Sequence, residues 1–533
     1  MRSLLPIIVF SIIVVRSHPF QPQQLQQRQQ RRRHPPVPSR HRERASSSSS
    51  SIVRIVGGFG DIPECRRPPH LAHPSVRRSS PPRRSIPVRH DDASIATTSL
   101  FASSTKSDDD GAIVPHPGTG GTASVPNEIF NLVKSIVGAG VLSLPAGIAA
   151  FGDAPTAAIP AILIIALIGA FSAYGFSLIG RVCSYTGART YRDAWSRSVG
   201  DGSSWLPAVT VTFKTCFAIL SYSMILADTG RSLLSSAGYS ASRNAALFGI
   251  TITTLLPLCL IRDLGGLAPF SLVGVAGMFY TALAMAARYL RGSYAIGGGY
   301  AADVASSLRP RFGDVGAMGA FGPNVFILVC MLSTAYMAHF NAPKFYVELR
   351  NNTMRRYNAV VASSFGISVL LFASIGSLGF LTFGGACSGL ILNNYSGTDA
   401  LMGLSRIAVL ISIVFSFPLV FAGARDGWLD LLRIPVDDRT NAVLTRTTLA
   451  VLSGVTLIAS RLRELAFIMS FAGATMGNAL IYVYPALMFR SAVRDMGDKA
   501  SKGLRREVPF AMFTALLGVA MGGMGAKMAL GLL

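Results

Sequence analysis

Acidic residues are scarce in this chain. Its 533 residues hold 26 Asp and Glu against 49 Lys and Arg, and the four charged types together make only 14% of it. With half of the residues apolar, so little charge excludes an ordinary soluble assembly of three or four domains. Cysteine is sparse too: Cys65, Cys183, Cys216, Cys259, Cys330 and Cys387 form no CxxC pair, which argues against a disulfide framework or a zinc site. No span or loop clusters metal ligands or sets a nucleophile beside a base, so neither an enzyme nor a bound cofactor is expected. Histidine is nearly missing from the last 400 or so residues, where His339 stands alone.

What the chain has instead is long apolar runs. A bilayer core of ~30 Å takes ~20 apolar residues as helix. Windows of that length fall at 127–151, 155–180, 205–227, 244–261, 267–287, 321–347, 358–383, 404–424, 442–460, 465–489 and 508–532, so eleven spans are expected in one membrane domain, 127–533.

The net charge of +23 does not point to nucleic acid, because of where it sits. Residues 1–126 carry 18 Lys and Arg against 8 acids, and most of the remainder lies in short loops. Loops after even-numbered spans hold roughly twice the Lys and Arg of those after odd-numbered ones, which places the start of span 1 in the cytoplasm and the C-terminus outside. On that reading Asn394-Tyr395-Ser396, a glycosylation sequon or a chance match to one, lies in an outer loop.

Ahead of the membrane domain, 4-LLPIIVFSIIVV-15 has the length of a signal-peptide core, giving a signal-like segment at 1–20. The Gln-, Arg-, Pro- and Ser-rich stretch 21–126 is expected to be a disordered basic tail, and resembles a transit peptide. Together they favour an endomembrane, vacuolar or plastid, over the plasma membrane. A cleaved signal would carry the tail across the membrane, in conflict with the loop charges. A retained anchor, a second import step or a mis-assigned first exon would each reconcile the two.

Span 1 contains 137-VGAGVLSLP-145. In lipid every backbone N–H and C=O needs a partner, so an interrupted helix is tolerated only where the freed groups face protein, a cavity or a ligand. Gly138 and Gly140 allow unwinding, and Pro145 lacks a donor. Such a break aims free N–H groups and a positive helix end at a carboxylate, and free carbonyls at a cation, so it suits an amino acid. A GxG pair that only lets two helices pack closely is the competing reading. Span 6 weighs against it: 333-STAYMAHFNAPKFYVEL-349 places polar residues and a proline in a second apolar run, five spans on. An odd separation inverts the two halves, the five-plus-five inverted-repeat arrangement with span 11 added.

These residues carry a resemblance. Asn131 with 138-GAGVLSLP-145, 335-AYMAHFNAPKFYVEL-349, 379-GFLTFG-384, 418-PLVFAGAR-425 and 472-AGATMGNALIYVYPALMF-489 resemble the amino acid/auxin permease family, in particular its sodium-coupled neutral amino acid transporter and vacuolar branches. The resemblance covers about 125–532. It implies an all-α integral membrane protein of LeuT type, discontinuous in helices 1 and 6, moving amino acids of the neutral class by alternating access. The substrate carboxylate would meet N–H groups at Gly138, Ala139 and Gly140, and the amine would meet carbonyls around Ile136, Val137 and Tyr336. His339 holds the family's histidine position, read either as a proton carrier or as an imidazole bonded to a neighbouring carbonyl.

Lys134 departs from the pattern. Sodium-coupled members place an asparagine there, which ligates sodium with a span 8 hydroxyl at the position of Ser416. An ammonium has three donors and no acceptor, so it cannot ligate a cation but can occupy its place, and gain and loss of its proton would replace sodium. Alternatively Lys134 snorkels to the inner interface and leaves sodium coupling intact. The expectation is therefore a proton-coupled, monomeric transporter whose partners are an amino acid and the lipid bilayer; sodium coupling, or a sensor signalling through the tail, are the alternatives.

Overall fold

Polar caps and glycines bound the apolar helices in this computed structural model, which describes residues 121–531 apart from 262–269, 433 and 435–437. The signal-like segment 1–20, and the 21–126 tail up to residue 120, lie outside the described residues. The Ser124 hydroxyl accepts from the Asn127 N–H at 3.4 Å, and Thr190, Ser242, Thr440 and Ser501 cap later helices in the same way. Each cap satisfies a donor that the first helical turn leaves orphaned. Gly187, at φ 67°, closes span 2 in a left-handed conformation that glycine adopts without strain.

Among the described residues no β-strand forms, only the isolated bridges Ala123–Leu349 and Arg311–Gly384. Span 1 is Val125–Ile136, a break, then Leu144–Ala149. Spans 2 and 3 are Ala158–Thr186 and Trp205–Ser236, and span 4 runs Arg243–Leu260. Span 6 is Val325–Ala335, a break, then Ala342–Glu348, followed by span 7 at Met354–Phe383 and span 8 at Ala400–Leu431. Span 9 is Asn441–Arg461, span 10 begins with Leu465–Ala472 and ends with Tyr484–Asp495, and span 11 is Lys502–Leu530. Nine helices in the described residues are long and apolar enough to cross a membrane, and the bent pair of span 1 makes ten. That is one fewer than the eleven expected; the fifth window falls on helix Phe270–Leu290, which follows directly on the undescribed 262–269.

Packing is by close backbone approach, as expected where lipid offers no hydrophobic drive between helices. A Cβ on Gly473 of span 10 would stand 1.7 Å from the Cys330 carbonyl oxygen of span 6, and one on Gly175 of span 2 would stand 2.2 Å from that of Ile481. Span 8 packs on spans 3 and 5, span 7 on span 2 and on Val125–Ile136, the first and lower half of span 1, and span 10 on span 6.

The loop that joins spans 7 and 8 is built around charge. The Asp399 carboxylate is wholly buried; it accepts from Arg288 at 2.7 Å, from the Tyr294 hydroxyl at 2.9 Å, and from the N–H groups of Leu401 and Met402. Arg406, 2% exposed, donates to the carbonyls of Leu392, Tyr395 and Ser396 at 2.8 to 3.1 Å. Burial pushes the Tyr294 phenol above its ordinary pKa, so it stays a donor at any physiological pH. Removing one partner of a buried pair strands the other, so Asp399→Ala is expected to cost about 3–5 kcal/mol, seen as a lower melting temperature in detergent; an unchanged melting temperature would refute this role. The sequon lies in the same wall. Asn394 is fully buried and its amide donates to Leu308 and Ala386, so this asparagine is not presented to a glycosyltransferase and the chance match is the reading that survives.

Span order also fixes topology. Five spans separate the loop at about 288–320 from that at about 490–507, so cysteine labelling should find them on opposite sides of the membrane. Labelling both from one side would overturn the span order.

Candidate substrate site

Helical hydrogen bonding in span 1 stops at Val137, whose N–H donates to Val133 at 2.7 Å. The next N–H, of Gly138, turns back to the Ile136 carbonyl at 2.9 Å, and Gly138 itself is extended at φ −106° and ψ 179°. A short 3₁₀ segment, Ala139–Ser143, then leads into the second half, and the halves are bent by 44°. The Gly138 donor and the Ile136 acceptor are thus used by the break itself. The N–H groups of Ala139 and Gly140, in the opening turn of the 3₁₀ segment, have no carbonyl supplied by the helix geometry.

Span 6 opens in the same manner. The Tyr336 N–H donates to Leu332 at 2.8 Å, that of Ala338 folds back on the Tyr336 carbonyl at 3.0 Å, and a single 3₁₀ turn His339–Asn341 precedes the Pro343-led lower half. The 3₁₀ segment of span 1 packs directly on the first half of span 6, the helix that leads into the second break. The Thr334 hydroxyl ties span 6 to span 10 by donating to the Met469 carbonyl at 2.6 Å.

Two side chains close on the glycines. A Cβ on Gly138 would lie 3.5 Å from the Tyr222 hydroxyl of span 3, while one on Gly140 would lie 2.5 Å from the Met469 methyl of span 10. Tyr222 lies deep in the bundle yet keeps partly accessible surface, as do Gly138 and Gly140; a deep residue with accessible surface faces an internal space. Neither Tyr222 nor Met469 was foreseen from the sequence.

The side chains of His339 and Tyr336 both turn toward span 2. The His339 imidazole has no accessible surface; its Nε2 lies 2.8 Å from the Ser172 carbonyl of span 2, and Phe176 and Phe365 stand edge-on at 5.5 and 6.2 Å. With a carbonyl as partner, Nε2 carries the hydrogen. The Tyr336 hydroxyl likewise reaches away, to the Ile165 carbonyl at 3.1 Å, with its ring 4.7 Å from that of Phe372. Both side chains therefore anchor the break to spans 2 and 7, leaving span 6 to offer backbone there.

Lys134 occupies the last turn of the first half of span 1, half-buried, with Lys344 of span 6 as a neighbouring cation. Ser416 is half-buried on span 8. The lower half of span 1 packs on spans 7 and 5, and span 8 packs on spans 3 and 5. Glu128 is another residue the sequence reading passed over. It is 1% exposed, neither carboxylate oxygen has a hydrogen-bond partner among the described residues, and the Lys344–Glu348 pair, 3.7 Å apart, supplies the charges acting on it. A cleft of about 450 Å³ lined by Tyr294, Gly298 and Arg309 lies in the loop after span 5 and includes none of the break residues.

Two helices opened at depth, five spans apart and in contact, define a multi-pass helical membrane protein that presents unwound backbone to an internal space. The chain belongs to the transmembrane amino acid transporter family, whose profile matches residues 121–527. Sodium-coupled neutral amino acid transporter 7 of Mus musculus is 23% identical over 398 residues, covering 71% of this chain and 81% of that protein. The protein provisionally named sodium-coupled neutral amino acid transporter 11 in Danio rerio is 24% identical over 380 residues, covering 70% and 80%. Among solved structures, MhsT in complex with L-phenylalanine is similar at 14% identity and a TM-score of 0.49, over 75% of this chain and 98% of that one. The inward-facing conformation of Mhp1 is similar at 11% identity and 0.44, over 79% and 92%.

Proposed function

We propose that this chain is a secondary active transporter that moves amino acids, neutral ones among them, by alternating access and draws on a proton gradient. The observation that carries the reading is the packing of the span 1 break on the half of span 6 that leads into the second break. It supports a site in which donors of Ala139 and Gly140, and the Tyr222 hydroxyl, hold a carboxylate and the end of the first half of span 1 holds an ammonium. Coupling to protons rests on Lys134, an ammonium where the sodium-coupled pattern has an oxygen ligand. The relatives' own names favour sodium instead, which makes sodium coupling the second reading. The protein is proposed to act as a monomer in an endomembrane. Uptake of labelled amino acids into proteoliposomes, with pH and sodium gradients imposed separately, tests all of this except oligomeric state and location. The proposal expects uptake that follows the pH gradient and is indifferent to replacing sodium by choline, and strict sodium dependence would favour the second reading.

A further inference from the structure

Span 3 has two distinct faces. On one, Thr212 meets Gly427 and the Cys216 thiol accepts from Trp428 at 3.2 Å, so this side is closed against span 8. On the other, the Thr210 hydroxyl bonds that of Tyr484 at 2.8 Å, Phe217 lies against Phe471 of span 10, and the Lys214 ammonium sits 4.3 Å over the ring of Phe340. At 3.6 residues per turn, Thr210, Lys214 and Phe217 form one stripe, with Tyr222 farther along the helix. Phe340 belongs to the 3₁₀ turn within the span 6 break. Lys214 therefore faces the break of span 6.

Its surroundings are unusual for a cation. Lys214 lies deep in the bundle but keeps partly accessible surface, as do Phe340 and its neighbour Asn341, so it borders a space beside the span 6 break. Among the described residues no carboxylate forms an ion pair with it and no acceptor takes its hydrogens; the face of Phe340 is its partner. A ring face supports an ammonium but leaves its three N–H donors unmet. A buried charge without a counter-charge is completed by one from outside, and what enters this space is the substrate.

We propose that Lys214 sets the charge selectivity of the substrate site, admitting amino acids whose side chain ends in a carboxylate alongside neutral ones and rejecting those that end in ammonium or guanidinium. This rests on the proposed transport function. The α-carboxylate is held by the span 1 break, so the second carboxylate is the group that meets Lys214. Opposite charges within ion-pair reach in a low-dielectric site attract, and like charges there repel as strongly.

The test uses the full chain, purified, with labelled glutamate, leucine and arginine offered separately for uptake and for thermal stabilisation. The native protein is expected to take up glutamate and leucine and to exclude arginine. Lys214→Met should lower the ratio of glutamate to leucine uptake at least tenfold and raise that of arginine to leucine, whereas Lys214→Arg, which keeps the charge, should hold the glutamate ratio. Leucine uptake by the native protein without any uptake or stabilisation by glutamate would overturn the proposal, as would a Lys214→Met variant that loses glutamate and leucine by the same factor. If no amino acid is taken up, the transport reading fails on its own account. Stabilisation by glutamate that Lys214→Met abolishes would still uphold the role of Lys214, and its absence would overturn it.

Discussion

Replacing Gly140 with leucine is expected to abolish amino acid uptake while leaving the protein folded and inserted. The first added carbon already lies 2.5 Å from the Met469 methyl, so Met469 must turn aside, and three further carbons then fill the space between spans 1, 6 and 10. Overpacking of this kind costs about 1–3 kcal/mol at a filled site, and here it also occupies the volume meant for substrate, so a loss of uptake of at least about tenfold is the minimum expected. Leucine at Gly138 should act likewise, by displacing Tyr222. Alanine at Gly138 is a milder change, since its methyl would stand 3.5 Å from the Tyr222 hydroxyl at ordinary contact distance, and it should reduce uptake less than either leucine. Normal transport by Gly140→Leu would remove the span 1 break from the substrate site.

Lys134 should decide the coupling ion. Two cations about 4 Å apart repel by about 4 kcal/mol at an effective dielectric of about 20, so sodium and an ammonium at this position would exclude one another. Lys134→Asn restores an oxygen ligand and is expected to weaken the response to an imposed pH gradient and to create a response to sodium. Lys134→Ala removes both the charge and the ligand and should leave at most exchange down a concentration gradient. A Lys134→Asn protein with proton dependence identical to that of the native chain would place the coupling group elsewhere, and Glu128, buried six residues earlier on the same helix, would then be the residue to change.

How much of this was legible in the sequence follows from what each feature depends on. The spans were visible because twenty consecutive apolar residues have few other uses, and the breaks because Gly138, Gly140 and Pro343 contradict a continuous helix. The direction of a side chain was not visible, since it depends on which helix lies alongside. For His339 the sequence left a proton carrier and a carbonyl-bonded imidazole both open, and the structure turns it, like the Tyr336 hydroxyl, toward a carbonyl of span 2. The sequon 394–396 matched a motif whose use requires exposure, and Asn394 is instead bonded within a loop wall. Tyr222 and Met469 come from spans 3 and 10, distant in sequence from both breaks, and only the assembled bundle brings them to the glycines.

The central claim is that an amino acid held between the two breaks is carried from one side of the membrane to the other. Counterflow measures this most directly: proteoliposomes holding the purified chain are loaded with unlabelled amino acid and given a trace of the labelled one outside. Alternating access predicts accumulation of label well above that in unloaded vesicles, and its loss in the Gly140→Leu protein. Saturable binding of the amino acid with no counterflow in either direction would contradict the account and identify the chain as a sensor.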